Sequence, residues 1–133
     1  VMHKVELISA TRDEAEASKR LIRLLKATHE LKISVDGQGF AESWMSDHTR
    51  VFIATDSATG ETTGMGLFVF GRRWFDADMT ATVVFCMGPG RDGILQFMAD
   101  TCKILGVNEL FFEGDEGDTL PTTPVDMRCY KVT

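Results

Sequence analysis

The chain has 133 residues, which suits one domain, 1–133, large enough to bury a core without disulfide or metal staples. Its net charge of −6, with no basic run longer than Arg72-Arg73, excludes general nucleic-acid binding and docking on anionic membrane, since both need a concentrated basic face. No apolar run reaches the ~18–20 residues of a membrane span, and the first residues lack the apolar core of a signal peptide. Cys86, Cys102 and Cys129 show neither a CxxC pair nor Cys/His ligand spacing, so they predict free buried thiols, no metal site and a reducing, cytoplasmic setting.

In chain order, Val5 to Ile8 reads as a short first strand. Thr11-Arg12-Asp13-Glu14 has the capping-box pattern, with the Thr11 hydroxyl accepting from the amide three residues on and Glu14 reaching back. The helix it opens should run to about Glu30, with Ala15, Leu21, Ile22, Leu24 and Leu25 as its apolar stripe. Asp36-Gly37-Gln38-Gly39 predicts a break. Phe40 to Met45 predicts a second, short helix anchored by Trp44 and Met45, with Trp44 in the core.

Three strands follow as a meander. Val51 to Thr55 is β-branched and aromatic. Asp56 to Gly60 is a turn by composition, and Thr63 to Phe70 is the returning strand. After the turn at 71–76, Met79 to Met87 is the fourth strand. The third strand runs opposite to the fourth, which puts Arg72 and Arg73 at the end away from Gly88. Arg91 to Leu105 is an amphipathic helix, with Ile94, Phe97, Met98, Cys102 and Leu105 on one face, and Gly106 is placed to end it. Val107 to Phe112 is the fifth strand and Val125 to Val132 the last. The order β-α-α-β-β-β-α-β-β implies an α+β fold: a mixed, mostly antiparallel sheet with helices on both faces. The strands that flank the last helix are parallel by the right-handed crossover rule.

The stretch Gly88-Pro89-Gly90-Arg91-Asp92-Gly93 spells GxGxxG. A dinucleotide site needs that motif inside βαβ repeats, with an acid ~20 residues onward. Glu109 or Glu113 could supply the acid, but the preceding hairpins are not βαβ repeats. Two readings of the turn remain open. In one, the glycines let backbone amides at a helix N-terminus meet an anion, with Arg91 adding a cation, Asp92 opposing it and Pro89 removing one donor. In the other, the glycines serve backbone angles alone. His3, His29 and His48 have no partner at metal or triad spacing, so solvated or capping roles are expected.

A meander followed by strand, glycine loop, helix and strand resembles the GNAT-type acyl-CoA N-acyltransferase superfamily. The family's loop pattern is Q/R-x-x-G-x-G/A, and Phe85-Cys86-Met87-Gly88-Pro89-Gly90 matches it at both glycines with Phe85 in the leading position. Ala99 to Gly114, ADTCKILGVNELFFEG, is similar to the family's helix end and fifth strand. The resemblance implies that Met87, Gly88, Gly90 and Arg91 hold the pyrophosphate of acetyl-CoA. It also implies an acceptor that is a small-molecule or protein amine, with Trp44 on the short second helix at the wall of its pocket as the alternative to core packing. A bulky side chain at Gly90 is expected to occupy the phosphate position.

The amine must lose a proton before it attacks a thioester. Glu113, at the open end of the fifth strand, is the best-positioned carboxylate, with Asp115 and Glu116 next. The family's later helix, which carries a general-acid Tyr, finds little room in the 20 residues after Glu113, and the only tyrosine, Tyr130, falls in the last strand. These departures keep a second reading beside the enzyme: a GNAT-like fold without catalysis that serves as a structural or interaction protein in a homo-oligomer or larger assembly, as some phage internal virion proteins resemble. A small-ligand-binding domain unrelated to CoA is a third.

Overall fold

The computed structural model describes residues 2–72 and 78–114. Its elements in chain order are β1 (His3–Leu7), α1 (Glu14–Glu30), α2 (Gly37–Met45), β2 (Thr49–Asp56), β3 (Thr62–Arg72), β4 (Met79–Met87), α3 (Arg91–Leu105) and β5 (Glu109–Phe111). The last expected strand, with Cys129 and Tyr130, lies outside the described residues, as do Arg73, Asp115 and Glu116.

The strands form one sheet in the order β1-β2-β3-β4-β5. The first three pairings are antiparallel and β4–β5 is parallel. The expected mixed, mostly antiparallel sheet is therefore present, with helices on both faces. Strand alternation sorts the core into two layers. Val51, Ile53, Met65 and Leu67 face α1 and α2, where Leu24, Ala27, Phe40 and Trp44 meet them. Phe52, Ala54, Phe68 and Ala81 face α3, which contributes Ile94, Leu95, Met98 and Cys102. β2 and β3 are buried on both sides, which is why their sequences read as nearly continuous apolar runs.

Helix α3 lies close to the sheet because β3 offers no side chain beneath it at Gly66. A Cβ there would stand 2.6 Å from Met98 Cε and 2.9 Å from Ile94 Cγ2. At its far end, Gly106 takes a left-handed conformation (φ 76°) and closes α3 through its N–H, as the sequence predicts.

The structure corrects several local expectations. Asp13, not Thr11, caps α1, accepting from the Glu16 amide at 3.1 Å; Thr11 Oγ1 accepts from Asp13 N–H at 3.3 Å. Of the expected stripe, Leu24 is buried and Leu21 and Leu25 are half-buried against the core, but the buried face continues to Ala27 and Thr28 and leaves Ala15 exposed and Ile22 66% exposed. Asp36 to Gly39 starts α2 rather than breaking the chain: Asp36 is its N-cap, and its carboxylate accepts from Gly39 N–H at 3.0 Å. Trp44 is core, with Nε1 donating to the Ile8 carbonyl at 2.8 Å, while Met45 points outward. β5 is only three residues long.

Candidate functional site

Two irregularities in the sheet build the site. Along β2–β3, Ala54 pairs with Gly64 and Thr55 with Thr62, so Thr63 has no partner residue on β2. Along β3–β4, Leu67 pairs with Phe85 and Phe68 with Val83, so Val84 is the extra residue and is 60% exposed. Both are β-bulges, which re-aim backbone groups that a regular ladder would consume.

At the first bulge the glycine turn meets β3. β4 ends at Met87, which pairs with Met65, and the chain then folds over Thr63. The Thr63 carbonyl accepts the Gly90 N–H at 2.9 Å. Gly88 has φ +99°, and a Cβ on it would lie 2.4 Å from the Thr63 carbonyl oxygen and 2.8 Å from Gly64 Cα. Glycine is required there for both conformation and space. Gly90 is buried and ordinary in conformation (φ −86°), but its Cβ would stand 2.8 Å from Ala54 Cβ and 3.2 Å from Thr63 Oγ1. This corrects the expected consequence of a side chain at Gly90: it would be driven into the β2–β3 floor, not outward where a ligand would lie.

Helix α3 begins directly on this turn. Gly90 is its N-cap and no side chain among the described residues caps it. The Arg91 N–H returns to the Gly88 carbonyl at 3.1 Å, and the Gly90 carbonyl receives the Ile94 N–H at 3.1 Å. The first-turn amides of Asp92 and Gly93 belong to exposed residues at the positive end of the helix dipole.

Arg91 connects this end to β5. The β4–β5 ladder stops at Thr82 opposite Phe111, while β4 runs five residues further to Met87. The strands therefore part toward the glycine turn. The Arg91 side chain, only 17% exposed, bridges the parting: Nη2 donates to the Glu113 carbonyl at 2.6 Å, and Nη1 stands 3.7 Å from Asp92 Oδ1. Cys86, half-buried, directs Sγ to the Arg91 carbonyl at 3.7 Å.

Met87, Gly88, Gly90, Arg91 and Glu113 thus converge on one end of the sheet. Met87, Gly88 and Glu113 are exposed there. Arg72 pairs with Met79 at the opposite end of β4, as the strand directions predict. Two residues at the site carried no readable signal. Thr63 matters through its bulge and carbonyl, which depend on strand register. His3, expected to be solvated or capping, is hydrogen-bonded through Nδ1 to Thr63 Oγ1 at 2.8 Å, from a strand that is not β3's neighbour.

Among the described residues, an antiparallel meander is followed by a glycine turn, a helix and a parallel strand, which is the element order that the resemblance predicts. The chain has the GNAT fold. Solved structures similar to it include an aminoglycoside acetyltransferase from an uncultured soil metagenomic sample in complex with sisomicin (TM-score 0.66, 17% identity, 98% of this chain and 95% of that chain). A ribosomal-protein-alanine N-acetyltransferase from Brucella melitensis is similar over 99% of both chains (TM-score 0.64, 12% identity). So is glucosamine-6-phosphate N-acetyltransferase from Arabidopsis thaliana, over 98% of this chain and 99% of that chain (TM-score 0.64, 11% identity). No protein-family model and no curated protein matches the sequence. Among the described residues, no helix of this GNAT fold is long and apolar enough to cross a membrane.

Proposed function

We propose that the chain is an acyl-CoA-dependent N-acyltransferase that transfers an acetyl group to an amine. The observation that carries this reading is the uncapped N-terminus of α3 on the Gly88–Gly90 turn, beside the parted ends of β4 and β5. A diphosphate is well suited to first-turn amides and to the helix dipole, and such contacts need no lysine or arginine cluster. The donors that fit are the amides of Asp92 and Gly93, with Met87 and Gly88 shaping the approach and Arg91 adding a nearby positive charge.

Acetyl-CoA would supply an activated acyl thioester. The residues of this chain would supply position and a proton acceptor. Glu113 is exposed and lies two residues beyond β5, and the Arg91 guanidinium holds its backbone at the carbonyl. Its carboxylate is suited to take the proton that the amine loses as nitrogen bonds to the acyl carbon. The electron pair of the broken C–S bond leaves with the thiol sulfur. The acceptor is an amine, as it is for the aminoglycoside and glucosamine-6-phosphate enzymes of the same fold.

One observation favours the rival reading, a GNAT fold that binds a protein partner without catalysis. Pro89 has no N–H, and the N–H groups of Gly90 and Arg91 are taken by Thr63 and Gly88, so the turn itself retains few donors. Calorimetric or thermal-shift titration with acetyl-CoA separates the two. Ligand at a hundredfold excess over its Kd stabilises a protein by about 2.7 kcal/mol, a shift that melting detects easily. No heat and no stabilisation at millimolar acetyl-CoA would sink the enzyme reading.

A further inference from the structure

We infer that Thr63 and His3 are positioning residues for the anion-binding turn, an inference that rests on the acyl-CoA reading of that turn. Thr63 is the floor of the turn in three respects. Its carbonyl accepts the Gly90 N–H at 2.9 Å. Its backbone forbids any Cβ at Gly88, and its hydroxyl would stand 3.2 Å from a Cβ at Gly90. Because Thr63 is the extra residue of a bulge, no partner residue on β2 fixes its orientation. The neighbouring pairs, Thr62 with Thr55 and Gly64 with Ala54, fix only its two ends.

His3 supplies the missing restraint. Its Nδ1 is hydrogen-bonded to Thr63 Oγ1 at 2.8 Å and the pair is partly buried. His3 sits on β1 opposite Asp56, so its side chain must span β2 to reach β3. The same strand also approaches α3 directly, since a Cβ at Gly93 would lie 3.5 Å from Val5 Cγ2. β1 therefore touches the first turn of α3 through Val5 and the turn beneath it through His3 and Thr63. This chain of contacts holds the Asp92 and Gly93 amides in one orientation relative to the sheet. A preorganised donor pair binds an anion more tightly than one that must be ordered on binding.

Two variants test this without disturbing the Thr63 carbonyl. Thr63→Val keeps the β-branched shape and removes the hydroxyl, and His3→Ala removes the imidazole. Each is expected to weaken acetyl-CoA binding by about tenfold, the scale of one neutral hydrogen bond. In turnover, each raises KM for acetyl-CoA and leaves kcat and the amine KM nearly unchanged. The double variant is expected to be no weaker than either single, because both remove the same contact. His3→Asn, whose amide can reach the Thr63 hydroxyl, is expected to restore most of the affinity. In the ligand-free protein, NMR amide exchange at Gly90 should quicken several-fold in both single variants, while exchange in the β2–β3 core stays as in wild type.

Additive effects of the two variants on affinity, or unchanged Gly90 exchange, would overturn the inference. Wild-type protein that fails to bind acetyl-CoA removes the proposed function. The Gly90 exchange rates still decide whether His3 and Thr63 hold the turn.

Discussion

Gly90→Ala is the sharpest probe of how the turn is built. Gly90 has φ −86°, so alanine is conformationally allowed and the whole penalty is steric. The added methyl would stand 2.8 Å from Ala54 Cβ, more than half an ångström inside ordinary contact. Ala54 is fully buried on the inner strand β2 and its methyl cannot swing aside. Either α3 lifts or β2 bends, at a cost of about 1–3 kcal/mol for overpacking of this kind. For a domain of this length, a loss of about 2 kcal/mol lowers Tm by roughly 7 °C. Thermal melts and urea titrations measure the loss. Removing the opposing methyl relieves it: Gly90→Ala in an Ala54→Gly background is expected to cost at least about 1 kcal/mol less than in wild type, a coupling typical of residues in contact. Binding of acetyl-CoA should recover together with stability. The reasoning is refuted if Gly90→Ala melts like wild type yet loses the ligand, or if the double variant regains stability and still cannot bind. Either result would mean that the side chain points into the ligand position.

Gly66→Ala should destabilise by about 1–3 kcal/mol in urea, because its methyl meets Met98 and Ile94 under α3; an unchanged midpoint would contradict the close seating of that helix. Asp36→Ala should cost about 1 kcal/mol through loss of the α2 cap, with the sheet unaffected in far-UV difference spectra. The hydrogen bond from Arg23, aided by Lys4, holds the Glu6 carboxyl below its ordinary value of 4.5. That stability is present above pH 4.5 and is lost as pH falls through the lowered value, so Glu6→Gln should flatten the acid limb of the stability curve, by less than about 1 kcal/mol for so exposed a pair. Burial pushes the Cys102 thiol up to about 11, so in a Cys129→Ser background a thiol reagent at pH 8 should modify Cys86 first and reach Cys102 only through unfolding.

Much of the scaffold was legible because its signals are local. β4 and α3 were bounded correctly at Met79–Met87 and Arg91–Leu105, since apolar alternation, a glycine turn and a terminal Gly106 mark them. The errors fall where two local signals compete. Thr11 and Asp13 both offer a capping oxygen, and in the folded chain Asp13 accepts from the Glu16 amide while Thr11 accepts from the Asp13 amide. Asp36-Gly-Gln-Gly reads as a break, yet Asp36 caps α2 and the packing of Phe40 and Trp44 draws the glycines into its first turn.

The sequence by itself determined that this chain forms a two-layered core around a mixed sheet and that a helix starts at a glycine turn after the fourth strand. Periodicity, caps and turn residues carry that information, because each acts over a few neighbouring positions. What the glycines are for was decided only by the tertiary structure. Gly88 yields to the Thr63 carbonyl, Gly90 to the Ala54 methyl, and Gly66 to Met98, each partner lying more than 20 residues away in sequence. The bulge at Thr63 and the reach of His3 across β2 depend on strand register, which one chain segment read alone does not specify.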